Sequence, residues 1–163
     1  GDVYKRQVDT NTLIMVGGND WSSAERWIEQ SDTLKFLKDP ANNLAFEAHV
    51  YFDKDASGTY KYSYEEEECY PEKGIDRVKP FVEWIKQNKF HGFIGEYGIP
   101  DNDPRWNETL DLFLGYLQEN GINGTYWAAG PWWDTYFMAI TPKDGKDRPQ
   151  MPIIEKYTST LKK

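Results

Sequence analysis

Glu96 lies in a short apolar run, Phe93-Ile94-Gly95-Glu96-Tyr97-Gly98, with glycines on both sides of the acid. A run of this length reads as a buried strand, and the glycines let the backbone turn sharply, so one carboxylate is delivered to a strand end. His49 and Tyr51 are two apart, and at the end of an extended strand they project to the same side. Trp127 closes a further short run, Gly124-Thr125-Tyr126-Trp127. Singly, each has an ordinary role: a glutamate capping a loop, a histidine satisfied beside a strand, a packing tyrosine. Together they form the set that a sugar ring requires. A polar pair orients the acid and hydrogen-bonds hydroxyls, while an indole floors the subsite under the ring's C–H faces.

The elements that position these residues alternate between strand and helix. The first strand is Leu13 to Val16, closing on Gly17-Gly18-Asn19-Asp20-Trp21, with Ser22 or Ser23 as the N-cap of a helix over Ala24 to Glu29. The second strand starts at Leu44, reaches His49 and runs into Val50-Tyr51, and a long polar loop from Asp53 to Gly74 follows. Ile75, Val78, Phe81, Val82 and Ile85 then recur at helical spacing. After the Glu96 strand come a helix from about Trp106 to Asn120, stopped at Gly121, the Trp127 strand, and a tail helix from Ile153 to Leu161. Strand ends near residues 17, 49, 96 and 127 fit parallel βαβ units, either in a doubly wound sheet or in a (β/α)8 barrel. No Gly-x-Gly-x-x-Gly follows the first strand and no Gly-Lys-Ser occurs, which weakens the nucleotide-binding version. A barrel remains, with four of its eight units.

Composition supports a carbohydrate surface. Aromatics make up 16% of the 163 residues, with seven Trp, while the apolar share is 39%, so the rings cannot all be core. The net charge of -8 disfavours phosphate-backbone binding and hence nucleic acid. The single cysteine, Cys69, cannot form an internal disulfide. No apolar run approaches the roughly 20 residues that span a bilayer, so no membrane partner is expected. Gly1 to Gln7 lacks an initiator Met and reads as a non-native leader resembling adapter read-through, leaving residues 8–163 as the domain.

Other motifs carry less. Asp53-Lys54-Asp55-Ala56-Ser57-Gly58 imitates the opening of a calcium loop, but its twelfth position is Tyr64 where a bidentate Glu is required. Glu65 to Glu68 reads as a solvated charge run, and two histidines, His49 and His91, make zinc improbable. No metal or cofactor is expected. His91 is placed in the helix-to-strand turn, on the face opposite the site. Trp27, Trp84 and Trp106 fall in helices and read as packing residues, and Met151, Ile153, Ile154, Tyr157 and Leu161 as a core-facing tail.

Four segments carry a resemblance: Gly18-Asn19-Asp20-Trp21-Ser22-Ser23-Ala24, His49-Val50-Tyr51-Phe52-Asp53-Lys54-Asp55-Ala56-Ser57-Gly58-Thr59, Ile94-Gly95-Glu96-Tyr97-Gly98 and Tyr126-Trp127-Ala128-Ala129-Gly130-Pro131-Trp132-Trp133. The chain resembles the C-terminal half, strands five to eight, of the (β/α)8 TIM barrel of a family 5 glycoside hydrolase, in the endoglucanase branch. The resemblance implies that Glu96 is the nucleophile of a retaining mechanism, that His49 and Tyr51 are its companions, and that Trp127 lines the subsite at the scissile bond. Trp21, Trp132 and Trp133, with Asp20 and Asp134 as neighbours, are assigned to glucan subsites because they follow strand ends. It further implies a secreted parent acting on a β-1,4-glucan oligosaccharide or polysaccharide. The family's acid/base glutamate follows an Asn in an Asn-Glu-Pro sequence, which does not occur here. Asn107-Glu108 is the one Asn-Glu pair, and it opens a helix, where the helix dipole explains the acid better. The expectation is a chain without its proton donor, inactive alone, missing an N-terminal half-barrel and prone to self-association through unpaired strand edges. Two alternatives stand beside this: a non-catalytic carbohydrate-binding module, against which the parallel pattern argues, and a sister mannanase or xyloglucanase.

Overall fold

The computed structural model describes residues 5–158. Four strands, β1 (Ile14–Gly17), β2 (Leu44–Tyr51), β3 (His91–Gly98) and β4 (Asn123–Tyr126), form one sheet in chain order, every neighbouring pair parallel. Helices α1 (Trp27–Ser31), α2 (Lys73–Asn88) and α3 (Arg105–Glu119) make the crossovers, and α4 (Met151–Tyr157) follows β4. This is the architecture of half a (β/α)8 barrel: all strands run the same way, so all their C-terminal ends lie at one rim.

Period decides which faces are covered. In α2, Val78, Phe81, Val82 and Ile85 are buried, and in α3 Trp106, Leu110, Phe113, Leu114 and Leu117, one apolar stripe each. These stripes cover one face of the sheet. Trp27 packs edge-on to Phe81 and Trp84 at centroid distances of 4.7 and 5.4 Å, and Phe46 of β2 meets Trp84 at 4.9 Å. Trp106 does the same against Tyr60 and Tyr64 at 5.0 and 4.7 Å. All three helical tryptophans are core, as their sequence positions indicate. Each such ring contributes about 1.5–3 kcal/mol or more by burial, so this aromatic layer is what clamps helices to strands.

Several local expectations are corrected. Ser22 and Ser23 do not cap a helix at Ala24; Asn19–Ser22 forms one turn in which Asp20, Trp21 and Ser22 have φ of 54, 50 and 59°. The Ser22 hydroxyl is taken by longer-range partners: it accepts from the Gly18 N–H at 2.7 Å and donates to the Glu47 carbonyl. The helix itself runs over Trp27–Ser31 and continues as a 3-10 segment, Asp32–Phe36. His91 is the first residue of β3 rather than part of the turn, at the rim away from Glu96. The tail helix is Met151–Tyr157, and Leu161 lies outside the described residues.

The stretch from Asp53 to Gly74 is polar, as its composition indicates, but it is built around buried charges. Asp53, 1% exposed, accepts from the N–H groups of Gly58, Thr59 and Tyr60 at 3.1, 3.0 and 3.3 Å and from the Ser57 hydroxyl at 3.0 Å. Glu67 accepts from the N–H groups of Lys54 and Tyr62. Arg77 of α2 donates to the carbonyls of Tyr51, Asp53 and Lys54. Satisfying so many main-chain groups makes the loop a rigid strap rather than a tether. Its Tyr60 hydroxyl donates to the Gly98 carbonyl at 2.6 Å and accepts from the Phe52 N–H at 2.9 Å, stapling the end of β2 to the end of β3. Among the described residues no group of three or more His, Cys, Asp or Glu side chains could hold a metal ion, and no helix is long and apolar enough to cross a membrane.

Candidate active site

A bulge sets the site. Along the β2–β3 seam Glu47 pairs with Phe93 and Ala48 with Ile94, but His49 pairs with Glu96, so Gly95 is an extra residue on β3. Strand side chains alternate, and a one-residue slip exchanges the faces. Without the bulge, Glu96 would point at the helices. With it, the two helix-facing residues Ile94 and Tyr97 are three apart and both buried, and Glu96 turns to the open face shared by Glu47, His49 and Tyr51. The bare glycine at 95 leaves room for the Glu47 side chain, since a Cβ there would lie 1.7 Å from Glu47 Oε1.

The result is a tight cluster at the C-terminal rim. The Tyr51 hydroxyl donates to Glu96 Oε2 at 2.8 Å, and His49 Nδ1 is 3.8 Å from the same oxygen. The other imidazole nitrogen, Nε2, is 2.6 Å from Glu47 Oε1. Burial opposes protonation of His49, yet the hydrogen bond it donates to Glu47 and the charges of Glu47 and Glu96 outweigh it, so its pKa is raised above the ordinary 6.5. The sign follows: a raised imidazole pKa contributes stability fully below the unfolded value and loses it as pH climbs through the folded one. Burial, then the bond to Glu96, pushes the Tyr51 phenol far above its usual range, so it remains a proton donor at any physiological pH.

These residues open into a cleft of about 450 Å³ whose lining includes Asp20, Trp21, His49, Tyr51, Arg77 and Glu96. Trp21 is 87% exposed there, on the strained turn held by the ion pair of Asp20 with Arg26. Trp127, Trp132, Trp133 and Asp134 lie outside that lining. Trp127 is at the same rim: its N–H donates to the Tyr97 carbonyl at 2.8 Å, one residue beyond Glu96, and its ring packs on Trp133 at 5.1 Å. Trp133 in turn packs on Tyr136 at 5.0 Å, and burial, with the Glu96 charge adding to it, pushes the Tyr136 phenol up. Trp132 is 91% exposed, and Asp134 presents its carbonyl to Arg148 at 2.9 Å.

Glu47 and Tyr136 went unnoticed in the sequence. Glu47 had a signal: Glu47-x-His49-x-Tyr51 places three polar groups on one side of an otherwise apolar strand. Tyr136 had none, because its place depends on how the chain folds back after Trp133. The acid expected to be a helix opener is one: Glu108 sits exposed in the first turn of α3.

Comparison with known proteins gives one answer. The family profile described as cellulase (glycosyl hydrolase family 5) matches residues 6–132. Endo-beta-1,4-glucanase B of Aspergillus niger is 35% identical over 157 residues, covering 93% of this chain and 45% of that protein. The crystal structure of the endoglucanase Cel5A of Pseudomonas stutzeri superposes with a TM-score of 0.85 at 43% identity, covering 95% of this chain and 47% of that one. XacCel5A, solved in complex with cellopentaose, superposes with a TM-score of 0.83 at 38% identity, covering 94% and 50%. The chain spans about half the length of the relatives it matches. With the family profile covering most of its length, this chain belongs to the cellulase family, glycosyl hydrolase family 5.

Proposed function

We propose that this chain carries the nucleophile of a retaining endo-β-1,4-glucanase, a secreted enzyme whose substrate is a linear β-1,4-glucan. The observation that carries the reading is the Tyr51–Glu96 hydrogen bond of 2.8 Å, with His49 beside it, on the open face of a parallel sheet at its C-terminal rim. Glu96 Oε attacks the anomeric carbon as the glycosidic bond breaks, giving a glycosyl ester that water then hydrolyses. Tyr51 and His49 hold the carboxylate so that one oxygen faces the sugar. The exposed indoles of Trp21 and Trp132 supply stacking faces along the glucan, with Trp127 nearest the reacting ring. The substrate class is supported by relatives named endo-beta-1,4-glucanases and by the cellopentaose complex of XacCel5A.

A retaining reaction needs a second carboxyl group about 5–5.5 Å from the first to protonate the leaving oxygen. Glu47 cannot serve, because the imidazole of His49 stands between it and Glu96. Because the Asn-Glu-Pro sequence that carries the family's acid/base does not occur here, the partner acid is expected from outside this chain, and the 163 residues alone should release no reducing sugar from carboxymethylcellulose. Placed behind the first half of the Pseudomonas stutzeri endoglucanase, the chain should regain hydrolysis, and a 2-deoxy-2-fluoro-cellobioside should label Glu96 covalently. Labelling of another carboxylate, or sugar release by the isolated chain that Glu96→Gln abolishes, would overturn the reading. The outer strands β1 and β4 each have one paired edge among the described residues, and Leu13 and Met15 are exposed at β1. Self-association in light scattering is the expected outcome for the isolated chain; a stable monomer at high concentration speaks against it.

A further inference from the structure

One carboxylate on the cleft face has no part in the reaction above. Glu47 lies two residues before His49 on β2, with Oε1 2.6 Å from Nε2, while Nδ1 on the other side of the ring is 3.8 Å from Glu96 Oε2. Its seat is opened by the missing side chain of Gly95, where a Cβ would lie 1.7 Å from Glu47 Oε1. The Ser22 hydroxyl, 3.3 Å from Oε2, closes the seat.

We infer that Glu47 is a positioning residue: it fixes the orientation and charge of the His49 imidazole, so that Nδ1–H faces the Glu96 carboxylate. The same glycine that bulges β3 to turn Glu96 into the cleft opens the space Glu47 occupies, so one backbone irregularity serves both acids. The other charged groups around the imidazole already have partners. Asp20 pairs with Arg26 and Glu25 with Arg77 at 3.4 Å, while Asp55 at the loop edge accepts from the Ser57 N–H. Tyr51, donating to Glu96, and Tyr136 beyond it are neutral phenols. Glu47 and Glu96 are left as the charges acting directly on the ring, in accord with its raised pKa.

The inference rests on Glu96 being the reactive carboxylate only for its consequence in turnover; its test needs none. The chain has two histidines, His49 and His91, and His91 lies at the opposite rim, so imidazole resonances of the 163-residue chain give the two midpoints separately. Glu47→Gln should lower the His49 midpoint by about 1 pH unit or more and leave His91 unmoved. Glu47→Asp should restore most of it. Gly95→Ala, which drives a methyl into the Glu47 seat, should give the same drop with Glu47 intact. An unchanged His49 midpoint in either folded variant overturns the assignment while leaving Glu96 as nucleophile untouched. A drop seen at both histidines alike marks a global loss of structure and also overturns it.

Discussion

The seam between β2 and β3 and the arm after β4 both present functional side chains at the same rim, but they hold them in different ways. At the seam every group has a named partner: Glu47 on His49, His49 and Tyr51 on Glu96, and Tyr60 stapling the two strand ends. In the arm Trp127, Trp133 and Tyr136 pack ring on ring, while Trp132 there and Trp21 on the turn after β1 stand open to solvent at 91% and 87% exposure. Chemistry at an anomeric carbon is lost by misplacement of about 1 Å, whereas stacking of a sugar on an indole tolerates sliding. Under the proposed function, hydrogen-bonded register serves the acid, and loose aromatic surface the glucan.

That contrast can be broken or sharpened by substitutions read in the chain joined to the first half of the Pseudomonas stutzeri enzyme. Glu96→Gln should remove more than about 10^4-fold of kcat with the affinity for cellopentaose kept, since it takes away the proposed nucleophile and little else. Tyr51→Phe comes next, a loss of about 10^2-fold in kcat with KM little changed, because one donor to the carboxylate disappears. A KM effect as large as the kcat effect there would show that the seam is a binding surface instead. Trp21→Ala should raise KM about tenfold with kcat nearly constant, and Trp132→Ala a few-fold, visible on long chains and absent on short ones. If either tryptophan lowered kcat as Tyr51→Phe does, the division between ordered seam and open surface would fail.

Much of this was legible before any coordinates, because it depends on period and on strand ends. The alternation of strands with amphipathic helices, the parallel order, the core roles of Trp27, Trp84 and Trp106, and the meeting of residues 49, 51 and 96 at one rim all follow from local pattern. The left-handed turn at Asp20 to Ser22 was not legible, since Ser22 looks like a helix cap until a strand 25 residues away claims its hydroxyl. Nor was the polar loop's construction, because burial of Asp53 and Glu67 is decided by the donors that surround them.

The sequence by itself determined which groups reach the rim: an acid between glycines, an imidazole and a phenol two apart, and surplus indoles after strand ends. Only the tertiary structure decided that Glu96 faces the cleft instead of the helices, and that Glu47 stands behind His49. Both depend on where an extra glycine falls in the pairing of β2 with β3. Register between strands 45 residues apart is a property of their packing, and no window along one strand contains it.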